Sequence, residues 1–557
     1  MEDNAQAGQP IGDAQAATAR RRRRVVHHVL LVLALALLVR LPLTRFPMGS
    51  SAGTVAYVGQ RWLEGAVPYR DAWDHRPPGL YLLSGLVVRR LAPLGAAAEQ
   101  GLIRLLLGPS ARVVRITPGE AMPETCRLAM WLIDLATVLL VYRLVRLWTG
   151  HVEAVVAAGI CGFFSGAFLV QGDCLGAGPP VSCLAVLAIL AALRSEGRRP
   201  RWLALSGLAC GLAACFDLTA LLYALAVVLW AASSTRGADP AAKRWLLRPA
   251  LVVGAALLPM AGFAAYFWAR GAFGDFWRSA VVYNVLYRWF PVATRTPAYY
   301  WQVVRSLAPE QGALWLFAGG WALHAFSMGF SRHTRLVAYW GLCAVAAALV
   351  TRQLDAAYFQ QTVPPLAIGA ALAATNPSER FITRDARGRL ETRSLLLVLL
   401  AAGMAFGFLY TEWRAFRTHA SRTDSRADRV AVSVANMIRD RTMAGQPIYV
   451  WGVGPQIYVL ADRPAAHRLF YNRPLNVPWV VNEFFGGPEV FDDIGRALIR
   501  AEPAFFVTTE AALLSAPEHG GPLREWAEFR NKHYDLWRIE ETRPYVVYLR
   551  KDRALLP

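Results

Sequence analysis

The chain has 557 residues, of which 55% are hydrophobic and 18% charged, against about 25% charged in an ordinary soluble domain. That balance excludes a string of three or four soluble domains of ~150 residues each and points to a polytopic membrane protein. The net charge of +20 would suggest a nucleic-acid partner, but from residue 415 onward 19 basic and 17 acidic residues leave only +2. The rest belongs to the apolar part, where basic loops report topology, and no nucleic-acid partner is expected.

Residues 1–24 are polar, end in Arg20 to Arg24, and read as a disordered cytoplasmic tail. Val25 to Leu43 follows as about 20 apolar residues, enough to cross ~30 Å as a helix. A cleaved signal peptide would be shorter and end in a small-residue site, so this is read as a first, uncleaved span. Further spans fit at 126–147, 152–171, 179–194, 202–217, 218–233, 246–269, 311–330, 335–351, 359–375 and 393–411, about 11 transmembrane helices in all. With the N-terminus inside, Arg143 and Arg146, and the turns Arg194 to Arg201, Arg236 to Arg248, Arg332 to Arg335 and Arg380 to Arg393, all fall on the cytoplasmic side, as the positive-inside bias requires. Gly79 to Leu94, interrupted by Arg89, Arg90 and Pro93, is expected to lie in the interface, because a full span there would turn those loops outward. The expected location is the plasma (inner) membrane, multi-pass, with the C-terminus outside.

The transmembrane part, residues 25–414, thus exposes two outer loops, 44–125 and 270–310. The second gathers Trp277, Tyr283, Trp289, Tyr299 and Trp301 among Arg278, Arg288 and Arg295. An aromatic belt at the membrane surface explains this pattern; a cavity for a lipid-linked sugar phosphate would use the same residues, stacking on sugar faces and clamping anionic oxygens. Residues 415–557 read as a soluble outer α/β domain. A helix at Val430 to Arg439 precedes a strand at Pro447 to Trp451, a helix at Val490 to Arg500 precedes a strand at Ala504 to Thr508, and Tyr534 to Ile539 with Tyr545 to Leu549 forms a closing hairpin. No glycine-rich phosphate loop follows these strands. All seven cysteines lie in or beside apolar runs and form no CxxC pair, so neither zinc nor a disulfide framework is expected, and the outer domain would be held by its core alone.

The most specific stretch is GQRWLEGAVPYRDAWDHRPPGLYLL, residues 59–83, which places Glu64, Arg70, Asp71, Asp74, His75 and Arg76 at the outer surface just before Pro77-Pro78. It resembles the first outer loop of the GT-C superfamily of membrane glycosyltransferases, in the family 39 group with the dolichyl-phosphate-mannose protein mannosyltransferases and bacterial aminoarabinose transferases. Their "GxxPYRDxxDHKPP" pattern is matched by Gly65, Pro68, Tyr69, Arg70, Asp71, Asp74, His75, Arg76, Pro77 and Pro78, with Arg76 in place of Lys. The stretches IYVWGVGPQIYVLADRPAAHRLFY (448–471) and YFQQTVPPLA (358–367) resemble later parts of such chains. The resemblance implies a GT-C-like fold and transfer of a sugar from a polyprenyl-phosphate carrier to a glycan, lipid or protein acceptor on the outer face.

Such chemistry asks for a carboxylate base near the acceptor and cations at the departing phosphate, in some members with a divalent metal ion. By resemblance the candidate catalytic residues are Asp71, Asp74, Asp173 and Asp217. The candidate substrate-binding residues are Arg70, His75, Arg76, Tyr57, Tyr358 and Gln361. The alternative for the motif cluster is that it only caps and anchors the loop at the headgroups. Departures from the family are as informative: Ser50-Ser51-Ala52-Gly53 stands where relatives place an acidic pair, Gly178-Pro179-Pro180 where a second acidic position falls, Asp217 where a Lys is frequent, and Ala356-Ala357 where a His is frequent. Asp217 reads equally as part of a rebuilt acidic site with Asp74 or Asp173 or as a solvated turn, and Asp134, inside an apolar run, as a partner for a neighbouring helix. These departures also admit a catalytically inactive GT-C-fold protein that binds a lipid-linked sugar or scaffolds glycan assembly. A transporter is disfavoured, since no internal repeat or paired broken spans mark an alternating-access site.

Overall fold

The computed structural model describes residues 11–40, 47–93, 118–167, 175–196, 199–233, 242–289, 296–350, 356–375, isolated positions between 402 and 413, and 423–452, 454–509, 524–537 and 544–553. Asp173 and nearly all of the expected 393–411 span lie outside them. The first helix runs Ile11–Arg40, so the arginine run expected in a disordered tail is already helical. Later apolar helices are Pro118–Val145, His151–Phe164, Gly178–Arg194, Pro200–Ala214, Leu221–Ser233, Ala242–Ala269, Pro297–Met328, Arg332–Val350 and Val363–Thr375. By length and composition Pro123–Val145, Leu247–Ala269 and Arg332–Val350 can each cross a membrane. His151–Phe164, with 14 residues, reaches only about 21 Å at 1.5 Å per residue. Leu128, Leu132 and Leu139 are exposed on one side of their helix while Met130, Val138 and Val141 are buried, which is how a helix facing lipid on one side and protein on the other divides its apolar residues.

Two of these helices are joined by charge. Arg40 and Asp134 are fully buried and meet at 3.1 Å; Arg40 also donates to the Ala36 and Gly162 carbonyls and to Ser165 Oγ. The helix partner expected for Asp134 is therefore an arginine at the end of the first apolar helix. An ion pair in an apolar interior is costly unless further hydrogen bonds satisfy it, and the two terminal nitrogens of Arg40 reach three oxygens besides the carboxylate while its Nε meets none among the described residues.

The stretch after the first apolar helix carries the helix Ser50–Leu63 and, after the motif, the helix Pro78–Leu86, which passes into a π-turn at Val87–Leu91. Proline at the first helical position costs nothing, because that N–H has no partner within the helix. The two helices cross where Gly59 meets Gly85, and a Cβ on either would collide with the other's backbone.

The C-terminal part follows the expected order of elements. The helix Thr423–Arg441 precedes β1 (Tyr449–Trp451), the helix Glu489–Ala501 precedes β2 (Phe505–Thr509), and β3 (Tyr534–Trp537) and β4 (Tyr545–Arg550) form the hairpin. The sheet has the order β1-β2-β4-β3, with β1 parallel to β2 and the other pairs antiparallel. β1 is buried throughout, whereas β4 alternates between buried and half-buried residues, as a strand with one covered face does. This part is not held by its own core alone. Val55, Ala56, Tyr57 and Val58 of the first loop share one apolar core with Ile448, Val450, Ile457, Tyr458 and Phe470. Gly53 lies so close to the Gln456 backbone that a Cβ would overlap it.

Candidate functional site

The motif loop is a tight local structure. Tyr69 holds φ 72°, a left-handed conformation that costs a bulky residue energy and is kept only when its surroundings dictate it. Its N–H donates to the Ala72 carbonyl at 2.9 Å, and its hydroxyl to the Arg76 carbonyl at 2.8 Å. Trp73 N donates to the Arg468 carbonyl at 3.0 Å, and Gly79 N to the Cys215 carbonyl at 2.8 Å, so the loop is pinned to the C-terminal part on one side and to the turn ahead of Asp217 on the other.

Asp74 is fully buried at the centre of this arrangement. Its carboxylate accepts from Tyr471 at 2.7 Å, Tyr81 at 2.8 Å and Arg76 Nη1 at 2.7 Å, with His75 Nδ1 3.2 Å away. Burial alone would raise its pKa, but Arg76, His75 and the hydrogen bonds from His75 and Tyr471 outweigh that and hold the carboxyl far below the usual range. Burial, and then the Asp74 charge, push Tyr81 and Tyr471 well above ordinary phenol values, so both remain donors. A carboxylate so fully occupied is an anchor and a poor base.

Arg76 extends past Asp74 to give its Nη2 to Ser51 Oγ at 2.9 Å. Beyond it opens a cavity of about 430 Å3, the size of a small-ligand site. Its walls come from six places in the chain: Ser50, Ser51 and Thr54; His75, Arg76 and Pro77; Leu175 to Gly178; Phe216 to Leu218; Tyr283 and Asn284; and Ala357, Tyr358 and Gln361, closed by Tyr471, Arg473 and Pro474 of the C-terminal part. Asp217 is the one carboxylate residue among the described lining residues, and its Oδ1 accepts from Thr219 N and Oγ1, each at 2.9 Å, capping the 3-10 turn Leu218–Ala220. His75 packs on Tyr283 with ring centroids 4.7 Å apart, and its carbonyl accepts from Asn284 at 2.6 Å, which seats the aromatic segment around Tyr283 on the motif. Gln361 is buried and accepts from Tyr223 at 2.5 Å.

The cavity therefore unites His75, Arg76, Asp217, Tyr358 and Gln361 from the sequence candidates. Asp74 stands behind it. Asp71 does not line it: the carboxylate pairs with Arg70 at 2.8 Å and accepts from Val67 N, bonds that lower its pKa, the Arg70 contact most. Arg70 turns instead to the Arg270 carbonyl. Tyr57 is a packing residue, buried between Tyr458 and Phe470, its oxygen accepting from Ala465 N at 2.7 Å. Tyr283 belongs to the aromatic loop whose residues the sequence offered as a cavity wall, whereas Ser51, Tyr471 and Arg473 were not singled out from sequence. Ser51 lies in the substituted acidic stretch and Tyr471 ends the 448–471 resemblance, but Arg473 has no local signal. Among the described residues no group of three His, Cys, Asp or Glu side chains could hold a metal; Asp173 lies outside them.

Residues 120–267 match the profile of the family described as dolichyl-phosphate-mannose-protein mannosyltransferase. No curated protein matches the sequence. Among solved structures, ArnT from Cupriavidus metallidurans bound to undecaprenyl phosphate superposes with a TM-score of 0.55 at 15% identity, over 94% of this chain and 97% of that one. The archaeal oligosaccharyltransferase AglB from Archaeoglobus fulgidus, in complex with an inhibitory peptide and a dolichol-phosphate, gives 0.51 at 13% identity over 96% and 75%. The first-loop motif and the profile over residues 120–267 are thus similar to this family, and the chain as a whole shares the fold of these two solved membrane glycosyltransferase structures.

Proposed function

We propose that the chain is a membrane glycosyltransferase that moves a sugar from a polyprenyl-phosphate donor to an acceptor on the outer face. The observation that carries this reading is the single cavity in which two arginines, Arg76 and Arg473, face one carboxylate residue, Asp217, between the aromatic walls Tyr283 and Tyr358. Cations suit the phosphate, aromatic faces suit the sugar, and the carboxylate suits an acceptor hydroxyl. The lipid phosphates bound to the two similar solved proteins support the same ligand class. In this reading the acceptor oxygen bonds to the anomeric carbon and its proton passes to Asp217. The bond from the anomeric carbon to the phosphate oxygen breaks, and the carrier phosphate leaves with that electron pair against the cationic wall. Asp74 acts through Arg76, fixing the direction of its guanidinium.

A second reading, binding of the lipid-linked sugar without transfer, is favoured by one feature: Ser50 and Ser51 line the cavity where the resembled family has acids. Mass spectrometry of surface glycans and lipids from a deletion strain separates the two. Under the transferase reading the deletion loses a modification that the wild-type gene restores and Asp217→Asn does not. A deletion that loses no modification would leave only the binding reading, and restoration by Asp217→Asn would remove Asp217 as the base.

A further inference from the structure

The two arginines of the cavity are not equivalent. Arg76 is already paired, with Asp74 on one nitrogen and Ser51 on the other. Arg473 lines the same cavity, is exposed, and makes no hydrogen bond or ion pair among the described residues. Its backbone is nonetheless held. It begins the short 3-10 turn Arg473–Asn476, packed through the buried Pro474 and Leu475, and lies two residues after Tyr471, whose hydroxyl is fixed on Asp74 at 2.7 Å. An uncompensated guanidinium on an anchored turn at the mouth of a cavity is a preorganised anion contact, since neither backbone ordering nor the breaking of an internal pair is charged against binding.

We propose that Arg473 is the residue that grips the phosphate of the lipid carrier, and that Arg76 is a positioning arm whose charge is largely spent on Asp74. The inference rests on the proposed ligand class and adds that the C-terminal part supplies the decisive cation, so that the site is incomplete without it. Asp74 holds Tyr471 by its hydroxyl, and Arg473 follows two residues later at the start of the turn Arg473–Asn476.

The test is binding of polyprenyl phosphate to the full chain in nanodiscs, comparing wild type, Arg473→Gln and Arg473→Lys, with thermal denaturation as a check on folding. Loss of a charge-assisted contact predicts at least about a tenfold weaker affinity for Arg473→Gln, an unchanged denaturation midpoint, and a weaker dependence of affinity on salt. Arg473→Lys keeps the charge and most of the affinity. Equal affinity of wild type and Arg473→Gln overturns the inference while leaving the ligand class intact, and so does Arg473→Lys binding as weakly as Arg473→Gln. Wild type that binds no polyprenyl phosphate overturns the reading on which the inference rests.

Discussion

Tyr471 donates its phenolic hydrogen to Asp74 at 2.7 Å across 397 positions of sequence. One hydrogen bond thus ties the C-terminal part to the motif loop, at the carboxylate that orients Arg76 and two residues before Arg473, which has no partner among the described residues.

Asp74→Asn removes the charge opposite Arg76 and leaves a mostly buried guanidinium uncompensated, a change that costs about 3 kcal/mol. Tyr471→Phe removes one hydrogen bond to a charged acceptor and costs about 1.5–3 kcal/mol. Thermal denaturation in detergent should show both losses, with Asp74→Asn lowering yield as well as activity. The sign of the pH effect follows from the depressed pKa: the folded state holds fewer protons at Asp74 than the unfolded one. Its contribution is therefore complete above about pH 4 and is lost as pH falls below that. Acid denaturation below about pH 4 should be steeper for wild type than for Asp74→Asn.

His467 provides a second, separable pH dependence. Burial, and then the neighbouring Arg468, push its pKa down to about 4, and its Nδ1 lies 3.1 Å from Leu469 N. Because the unfolded value is about 6.5, its contribution is complete above about pH 6.5 and is lost as pH falls through the interval toward 4. His467→Gln should flatten the denaturation midpoint across that interval; an unchanged slope would show that another group titrates there.

The Arg40–Asp134 pair predicts a non-additive double mutant. Asp134→Leu or Arg40→Leu alone strands a buried charge and should cost about 3–5 kcal/mol, whereas replacing both with leucine restores most of the loss. Denaturation midpoints of the four proteins check this; a double mutant as unstable as the sum of the singles would assign the pair no coupling.

The order of elements was legible in the sequence, because period-two strands such as Tyr545–Arg550 and apolar runs such as Leu247–Ala269 declare themselves locally. The motif of residues 59–83 was legible as the heart of the site, but not the division of labour within it. A carboxylate in a string of letters does not reveal how many donors converge on it. Asp74 meets four groups, one of them from the far end of the chain, whereas Asp71 is taken by its neighbour Arg70. Arg473 was invisible for a related reason: its role depends on the cavity it borders and on having no partner there, and both are properties of tertiary apposition. The expectation of an outer domain held by its own core failed on the same ground, since Tyr57 reads as a site residue until Tyr458 and Phe470 close over it.

The central claim is that the cavity between the motif loop and the C-terminal part holds the phosphate of a lipid carrier. A structure of the full chain in nanodiscs with polyprenyl phosphate tests this most directly. The account predicts phosphate density within hydrogen-bond distance of Arg473, with Arg76 still on Asp74. Phosphate bound elsewhere, with the cavity empty, would contradict it.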